Sequence, residues 1–144
     1  MARVISLLLV VVAFLVAAEV RADERPKATL YRNAGCGCCL EYARYLRRNG
    51  FDVEVSNDSM TPIREQYEVP DELEGCHTMV IGDYAIEGHV PVAVINRLLS
   101  EKPQIRGISL PGMPAGSPGM TGTKKGPFVI YEITDGPRKV YATE

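Results

Sequence analysis

The sequence predicts a thioredoxin-like single domain of the α/β class, with the core order β-α-β-α-β-β-α, a Gly/Pro-rich loop and an additional C-terminal strand or hairpin. Three observations support this prediction. Short β-leaning segments alternate with helical patterns in the first half of the chain, a two-residue turn joins two later strands, and a glycine-rich turn precedes the first helix. About 120 residues follow a predicted leader, which is enough for one modest core.

The leader, residues 1–22, is predicted to be a signal peptide. Arg3 precedes an uncharged apolar run, residues 4–18, and the segment ends in a small-residue cleavage site at residues 20–22. The apolar run is shorter than the roughly 20 residues that a membrane-spanning helix needs. We therefore expect cleavage near Ala22, an exported mature domain at residues 23–144, and no stable membrane insertion.

The first strand is predicted at residues 28–33, before the glycine-rich turn. A helix at residues 39–49 follows, because Leu40, Ala43 and Leu46 recur at helical spacing and form one apolar stripe. A turn between a strand and a helix lies at the helix N-terminus, where unpaired N–H groups and the helix dipole favour negative charge. The residues of this turn are therefore candidates for a functional site.

The next elements complete the predicted core. Alternating apolar and acidic residues predict a strand at residues 51–55, and Thr61 followed by proline predicts the start of a short helix. Two β-leaning runs, residues 78–81 and 84–87, flank a Gly-Asp pair and predict a hairpin. A third helix begins at Pro91, and its apolar face predicts that it covers the sheet.

The C-terminal part is predicted to be mostly loop. Residues 107–126 are rich in glycine and proline and are expected to form neither helix nor strand. One more strand is predicted at residues 128–133, with residues 139–142 as its partner. The formal net charge is −2, and no basic run with interleaved aromatic residues is present, so we expect no nucleic-acid partner.

The cysteines allow three hypotheses. Export favours disulfides, so two structural disulfides would explain four cysteines. The C-x-x-C spacing of Cys36 and Cys39 at a helix N-terminus favours a thiol–disulfide oxidoreductase of thioredoxin-like fold instead. Cys38 argues against this redox hypothesis, because a third neighbouring thiol would compete for disulfide pairing. Three clustered thiolates suit a thiophilic metal ion.

The fourth cysteine, Cys76, is followed by His77 at the start of the third predicted strand. In a thioredoxin-like layout this position faces the C-x-x-C turn and usually holds a proline, which is absent here. We therefore expect Cys76 and His77 to project toward the other three cysteines, which gives four sulfurs and one imidazole around one point. His89, which lies before the third helix, is interpreted as structural.

This donor set favours copper over zinc. Structural zinc sites usually present two paired cysteine knuckles, or one knuckle and two histidines, and here the second half is only Cys76 and His77. Thiolate and thioether donors favour Cu(I). Met113 and Met120 stand among the glycines and prolines of the loop and are candidates for thioether ligands or for copper transfer.

Three segments, NAGCGCC, GCHTMVIGDYAIEGHVP and LPGMPAGSPGM, resemble the CopG-type copper-resistance proteins, a family of small exported proteins formerly of unknown function. The resemblance runs from about residue 27 to about residue 128. It implies a thioredoxin-like periplasmic fold that binds Cu(I), with a multinuclear thiolate-bridged cluster preferred over a single ion. It implies as sulfur ligands, with His77 beside them, Cys36, Cys38, Cys39 and Cys76.

The sequence thus predicts a periplasmic copper-binding protein of copper resistance and homeostasis, and the alternative is a thiol–disulfide oxidoreductase. No catalytic residue is assigned, because the resemblance supplies no defined reaction. The expected partners are copper ions and other periplasmic copper-handling proteins or an exporter. The predicted metal ligands are Cys36, Cys38, Cys39, Cys76, His77, Met113 and Met120.

Overall fold

The computed structural model describes residues 25–144, so the predicted signal peptide at residues 1–22 lies outside the described residues. The described part is a single mixed α/β domain with seven strands and three α-helices, as the α/β prediction requires. The strands are β1 (Lys27–Arg32), β2 (Asp52–Ser56), β3 (His77–Ile81), β4 (Tyr84–Gly88), β5 (Gly107–Leu110), β6 (Val129–Ile133) and β7 (Val140–Thr143). The helices are α1 (Gly37–Arg48), α2 (Thr61–Gln66) and α3 (Val92–Glu101), with one 3-10 turn at Asp71–Leu73.

All seven strands belong to one sheet, in the order β2-β1-β3-β4-β5-β6-β7. Strands β1 and β2 are parallel, and α1 makes the crossover connection that a parallel pair requires. Strand β3 is antiparallel to both β1 and β4. The predicted order of elements from β1 to α3 is therefore observed.

One prediction about the loop is wrong, because residues 107–126 are not irregular throughout. Gly107–Leu110 forms β5, which is parallel to β4 and fully buried. A Cβ atom at Gly107 would collide with the backbone of Ala85 on β4. The glycine that suggested a loop is there because the two backbones approach closely.

Both predicted hairpins are present. Ile81 pairs with Tyr84 across the two-residue turn between β3 and β4. Strands β6 and β7 are antiparallel, with an irregularity in the register between Ile130 and Tyr131. Each of these strands begins or ends within one residue of its predicted position, since hairpin signals are local in sequence.

The main core lies between the sheet and the two longer helices. On α1 the buried face differs from the predicted stripe, because Cys39 and Tyr42 are fully buried and Leu40 is only half-buried. Tyr42 tolerates burial because its hydroxyl donates a hydrogen bond to the carbonyl oxygen of Val90 at 2.7 Å. This orientation of α1 turns Cys39 toward the sheet. From α3 the core receives Val92, Val94, Ile95 and Leu98.

The opposite face of the sheet is partly covered by the segment that contains α2 and the 3-10 turn. Val69 and Leu73 pack there against Ala85 and Ile133 and form a second, smaller cluster. Because side chains alternate along a strand, Ala85 and Glu87 point to this face while Ile86 points to the main core. No helix within residues 25–144 is both long and apolar enough to span a membrane.

Candidate metal centre

The candidate site lies at the edge of the sheet where β1 ends, β3 begins and β4 ends. Arg32, the last residue of β1, pairs with His77, the first residue of β3. The turn after β1 leads directly into α1, so the first turn of this helix lies beside the residue that precedes β3. Antiparallel pairing of β1 and β3 thus brings Cys76 to the C-x-C-C turn.

The N-terminus of α1 provides three sulfurs and a favourable electrostatic environment. Cys36 is the N-cap residue, and Cys38 and Cys39 lie in the first turn. No acidic side chain occupies that turn, and the cap makes no side-chain hydrogen bond. The positive end of the helix dipole therefore remains available to stabilise thiolates.

The structure brings the four predicted sulfur ligands together, with the Sγ atoms of Cys36, Cys38, Cys39 and Cys76 all within 4.8 Å of one another. The Sγ atoms of Cys36 and Cys38 are 3.5 Å apart, and those of Cys39 and Cys76 are 3.7 Å apart. The predicted contact between Cys76 and the C-x-C-C turn, two segments far apart in the chain, is therefore present.

The four cysteines are not all reduced in this structure. Cys36 and Cys39 form a disulfide, whereas Cys38 and Cys76 are free. The second disulfide that a purely structural role would need is thus not formed. A four-thiolate site requires reduction of the Cys36–Cys39 bond by two electrons.

His89, which the sequence suggested to be structural, lies in contact with Cys76. Its Nε2 atom is 3.0 Å from the Sγ atom of Cys76, and its Nδ1 atom is 2.6 Å from the carbonyl oxygen of Pro118. A carbonyl oxygen only accepts, so Nδ1 bears the proton and Nε2 presents a lone pair toward Cys76. A backbone carbonyl that orients a histidine in this way is typical of metal-ligating histidines.

His77 is fully buried beside Cys76 and the ring of His89. Its Nδ1 atom lies 3.5 Å from the Sγ atom of Cys76, and its Nε2 atom has no hydrogen-bond partner among the described residues. Burial, and secondarily His89, lowers the pKa of His77 to about 3, and burial also lowers the pKa of His89. Both imidazoles are therefore neutral at pH 7, which is the state that binds metals.

Tyr42 forms the floor of the site. Its ring centroid is 4.8 Å from that of His77 and 5.1 Å from that of His89, and the two imidazoles are 5.0 Å apart. This packing limits the ring orientations of both histidines.

Burial of the Cys76 thiol, followed by the effect of Cys38, raises the pKa of Cys76 to about 12. Metal binding at Cys76 must therefore displace a proton.

The donors form two overlapping groups that share Cys76. The first is the four-sulfur group, and the second consists of Cys76, His77 and His89, whose ligand atoms also lie within 4.8 Å of one another. Neither group contains a carboxylate, so the donor chemistry suits a soft, thiophilic ion rather than a hard, oxygen-seeking one. The residues fit such an ion once the Cys36–Cys39 disulfide is reduced.

The two methionines occupy different environments. Met113 is 43% exposed and has a positive φ of 47°. Met120 is half-buried and follows Gly119, which packs against the backbone of Cys38 and Tyr42 on α1. The structure thus places Met120 next to a residue that contacts the site, whereas Met113 lies on the surface of the loop. Their roles as ligands stay predictions.

Gly119 seats the loop on α1, and its replacement should be costly. A methyl group at this residue would lie 2.6 Å from the backbone nitrogen of Tyr42 and 3.0 Å from the carbonyl oxygen of Cys38. Gly119→Ala is expected to lower the free energy of unfolding by more than the about 1–2 kcal/mol of its left-handed backbone strain. Gly112→Ala is the matched control, since Gly112 has a similar positive φ but open space around it. Urea denaturation of both variants measures the difference, and equal losses would contradict the close contact.

Sequence reasoning missed His89, although a signal for it exists. The hairpin pairs Thr78 with Glu87, so continuing the same register places Cys76 opposite His89. Applied to the predicted two-residue turn, this register would have shown the contact. The role of Pro118 had no such signal, because it depends on how a distant loop folds back onto α1.

Comparisons with known proteins are consistent with this site. A family model described as "Protein of unknown function, DUF411" matches residues 73–120, a span that includes Cys76, both histidines and both loop methionines. The chain is also similar to two solved structures of copper resistance protein CopG. Form 2 is 35% identical, with 84% of this chain and 99% of that chain covered and a TM-score of 0.75. Form 1 is 35% identical, with 84% and 98% covered and a TM-score of 0.76. No curated protein matches the chain.

Proposed function

This chain belongs to the family of the copper resistance protein CopG, and from that premise we propose that it binds copper as Cu(I) in the periplasm and contributes to copper resistance. The observation that carries the proposal is the meeting of Cys76 with the C-x-C-C turn, which gathers four sulfurs within 4.8 Å. Sulfur donors at this density favour Cu(I) over harder ions.

A multinuclear, thiolate-bridged cluster fits the donor arrangement better than one ion. Cys76 belongs to both ligand groups, and a thiolate has lone pairs for more than one metal. The sulfur ligands in this proposal are Cys36, Cys38, Cys39 and Cys76. The imidazoles of His77 and His89 would complete the nitrogen side of the site, with His89 oriented by Pro118. Copper binding would release protons from the thiols.

We extend the proposal to the class of the fold and to its location. A thioredoxin-like class is supported by the parallel β1–β2 pair with its α1 crossover, the antiparallel β3–β4 hairpin and the C-x-x-C at the start of α1. A periplasmic location is supported by the signal-peptide pattern of residues 1–22. Other periplasmic copper-handling proteins or an exporter would then be its partners.

Copper stoichiometry tests the cluster directly. Anaerobic protein with its disulfide reduced is expected to bind more than one Cu(I) per chain, and Cys38→Ser is expected to lower that number because one bridging sulfur is lost. Titration against a chromophoric Cu(I) chelator, together with elemental analysis, measures both quantities. The same protein kept oxidised is the control and should bind less copper. A stoichiometry of one or below that Cys38→Ser does not change would refute the cluster.

The loop methionines are tested by a double replacement. Changing Met113 and Met120 to leucine removes both thioethers and preserves apolar volume, so the fold should be retained. The variant is expected to capture or transfer Cu(I) more slowly, because thioethers favour this ion. Stopped-flow transfer to a chelator measures the rate, and Met60→Leu, which lies before α2, is the control. Unchanged affinity and kinetics would show that the two methionines have no role in copper handling.

The disulfide favours a second candidate function, thiol–disulfide exchange. Cys36 and Cys39 are joined at the N-terminus of α1, which is where a redox-active pair would lie. The free thiol of Cys38, 3.5 Å from the Sγ atom of Cys36, argues against it because it would compete in exchange. An insulin-reduction assay distinguishes the two functions. Turnover that Cys36→Ser abolishes and Cys38→Ser preserves would favour the oxidoreductase.

A further inference from the structure

The residue before Cys76 is held in place by two charged side chains. The amide of Gly75 donates a hydrogen bond to Oε2 of Glu87 at 2.7 Å, and its carbonyl oxygen accepts one from Nη2 of Arg64 at 2.8 Å. Strand β3 begins at His77, so Gly75 lies outside the ladder of the sheet. Side chains therefore satisfy both of its backbone groups.

These two side chains also bind each other. Nη2 of Arg64 is 2.9 Å from Oε2 of Glu87, and Nε of Arg64 is 3.2 Å from Oε1. Glu87 is fully buried and also accepts a hydrogen bond from the hydroxyl of Thr78, while Arg64 is 13% exposed and also contacts Glu74 at 2.7 Å. We call the Arg64–Glu87 pair with its bonds to Gly75 the clamp. It joins α2, β4 and the segment before β3.

Backbone packing reinforces the clamp. A Cβ atom at Gly75 would lie only 2.5 Å from the backbone nitrogen of Gly88, so Gly75 rests directly on the end of β4. Gly88 connects Glu87, which belongs to the clamp, to His89, which contacts the Sγ atom of Cys76. The segment Glu87–Gly88–His89 therefore positions Cys76 in two ways. Glu87 and Gly88 hold the preceding residue, Gly75, and His89 contacts the sulfur of Cys76 itself.

We propose that Arg64 and Glu87 are positioning residues that fix Cys76 so that its sulfur faces the C-x-C-C turn, and that they thereby set the donor geometry of the copper site. The part that concerns copper rests on the proposed function. The clamp acts through Gly75 rather than as a ligand, since its two charged groups bind each other and the backbone of Gly75.

The competing explanation is a buried ion pair that serves stability alone. Arg64→Lys separates the two, because it keeps the charge opposite Glu87 but loses the planar fork that reaches Glu87 and Gly75 together. A role in charge neutralisation alone predicts that lysine preserves the position of Cys76. The clamp predicts that lysine keeps the fold and releases Cys76.

The first test needs no copper. In a Cys38→Ser background with the Cys36–Cys39 disulfide intact, Cys76 is the single free thiol of the chain, and its alkylation by N-ethylmaleimide reports its exposure. Arg64→Lys is expected to raise the alkylation rate at least about tenfold while circular dichroism stays unchanged, because loss of one hydrogen bond to a charged group shifts a local opening equilibrium by about that factor. Arg97→Lys, in the exposed Arg97–Glu101 pair, is the matched control and should change nothing.

A milder variant keeps the test decisive if Arg64→Lys does not fold. Thr78→Val removes the hydroxyl that donates to Glu87 and accepts from Nε of Arg64, without changing charge, and it is expected to raise the alkylation rate by a smaller factor. An unchanged rate in a folded Arg64→Lys, or in Thr78→Val where Arg64→Lys is unfolded, would overturn the clamp.

The second test uses copper in the reduced protein with all four cysteines. Arg64→Lys is expected to lower Cu(I) affinity about 10–100-fold, and X-ray absorption should report fewer sulfur donors per copper. Unchanged affinity and sulfur count, with alkylation raised, would overturn the link between the clamp and the copper site. Wild-type protein that binds no Cu(I) would overturn the proposed function, while the alkylation comparison would still decide whether the clamp positions Cys76.

Discussion

Replacing Cys76 with serine is expected to lower the Cu(I) affinity of the reduced protein by more than about 100-fold. The expected loss exceeds that of an outer partner because Cys76 is the one sulfur in the four-sulfur group that comes from outside the C-x-C-C turn. Its Sγ atom also belongs to the second donor group, with His77 and His89. Without this sulfur, the three remaining cysteines and the two imidazoles no longer have a donor in common.

The measurement is a competition titration of anaerobic, reduced protein against a Cu(I) chelator of known affinity. Near-ultraviolet circular dichroism, which senses the packing of Tyr42, verifies that the variant is folded. Met60→Leu removes a sulfur outside the site and should bind copper like the wild type. An affinity of Cys76→Ser within about threefold of the wild type, well short of the loss that even an outer partner causes, would show that copper binds elsewhere.

Replacing Glu87 with alanine is expected to lower the free energy of unfolding by about 3–5 kcal/mol. The truncation leaves the Arg64 guanidinium, 13% exposed, without its buried partner. It also leaves the amide of Gly75 and the hydroxyl of Thr78 without their acceptor. Unsatisfied buried groups of this kind account for most of such losses.

Urea denaturation of the oxidised, metal-free protein measures this effect. Glu101→Ala is the matched control, because it breaks an ion pair of the same residue types with Arg97 on the surface of α3. Its midpoint should stay close to that of the wild type, since exposed pairs contribute little. A Glu87→Ala midpoint as close to the wild type as that of the control would mean that the buried pair contributes nothing to stability.

The sequence was informative where its signals are local. Hairpin turns, helix periodicity and the proline at the start of α2 and α3 predicted the elements from β1 to α3 in their observed order. The meeting of Cys76 with the C-x-C-C turn was also predictable, because the start of β3 must lie beside the end of β1 once these strands are antiparallel. The cysteine spacing, combined with the antiparallel pairing of β1 and β3, was enough to predict the four-sulfur group.

The remaining features depend on contacts between segments far apart in the chain. Glu87 stands in a β-leaning segment, where a charged residue suggests an exposed face, and its burial is understood only when Arg64 arrives from α2. The Cys36–Cys39 disulfide is a local contact, and its C-x-x-C spacing made this pair one of the hypotheses, but the neighbouring thiol of Cys38 left the pairing open. Strand β5 was missed because glycine is typical of both loops and tightly packed backbones.

The position of Pro118 determines how much of the chain is needed to orient His89. Its carbonyl oxygen, 42 residues after Cys76 in the numbering, orients the imidazole that contacts that cysteine. A fragment that ends before this proline would retain every cysteine and yet leave His89 free to adopt the wrong tautomer. Counting thiols therefore does not define the shortest fragment that keeps this imidazole in its orientation beside Cys76.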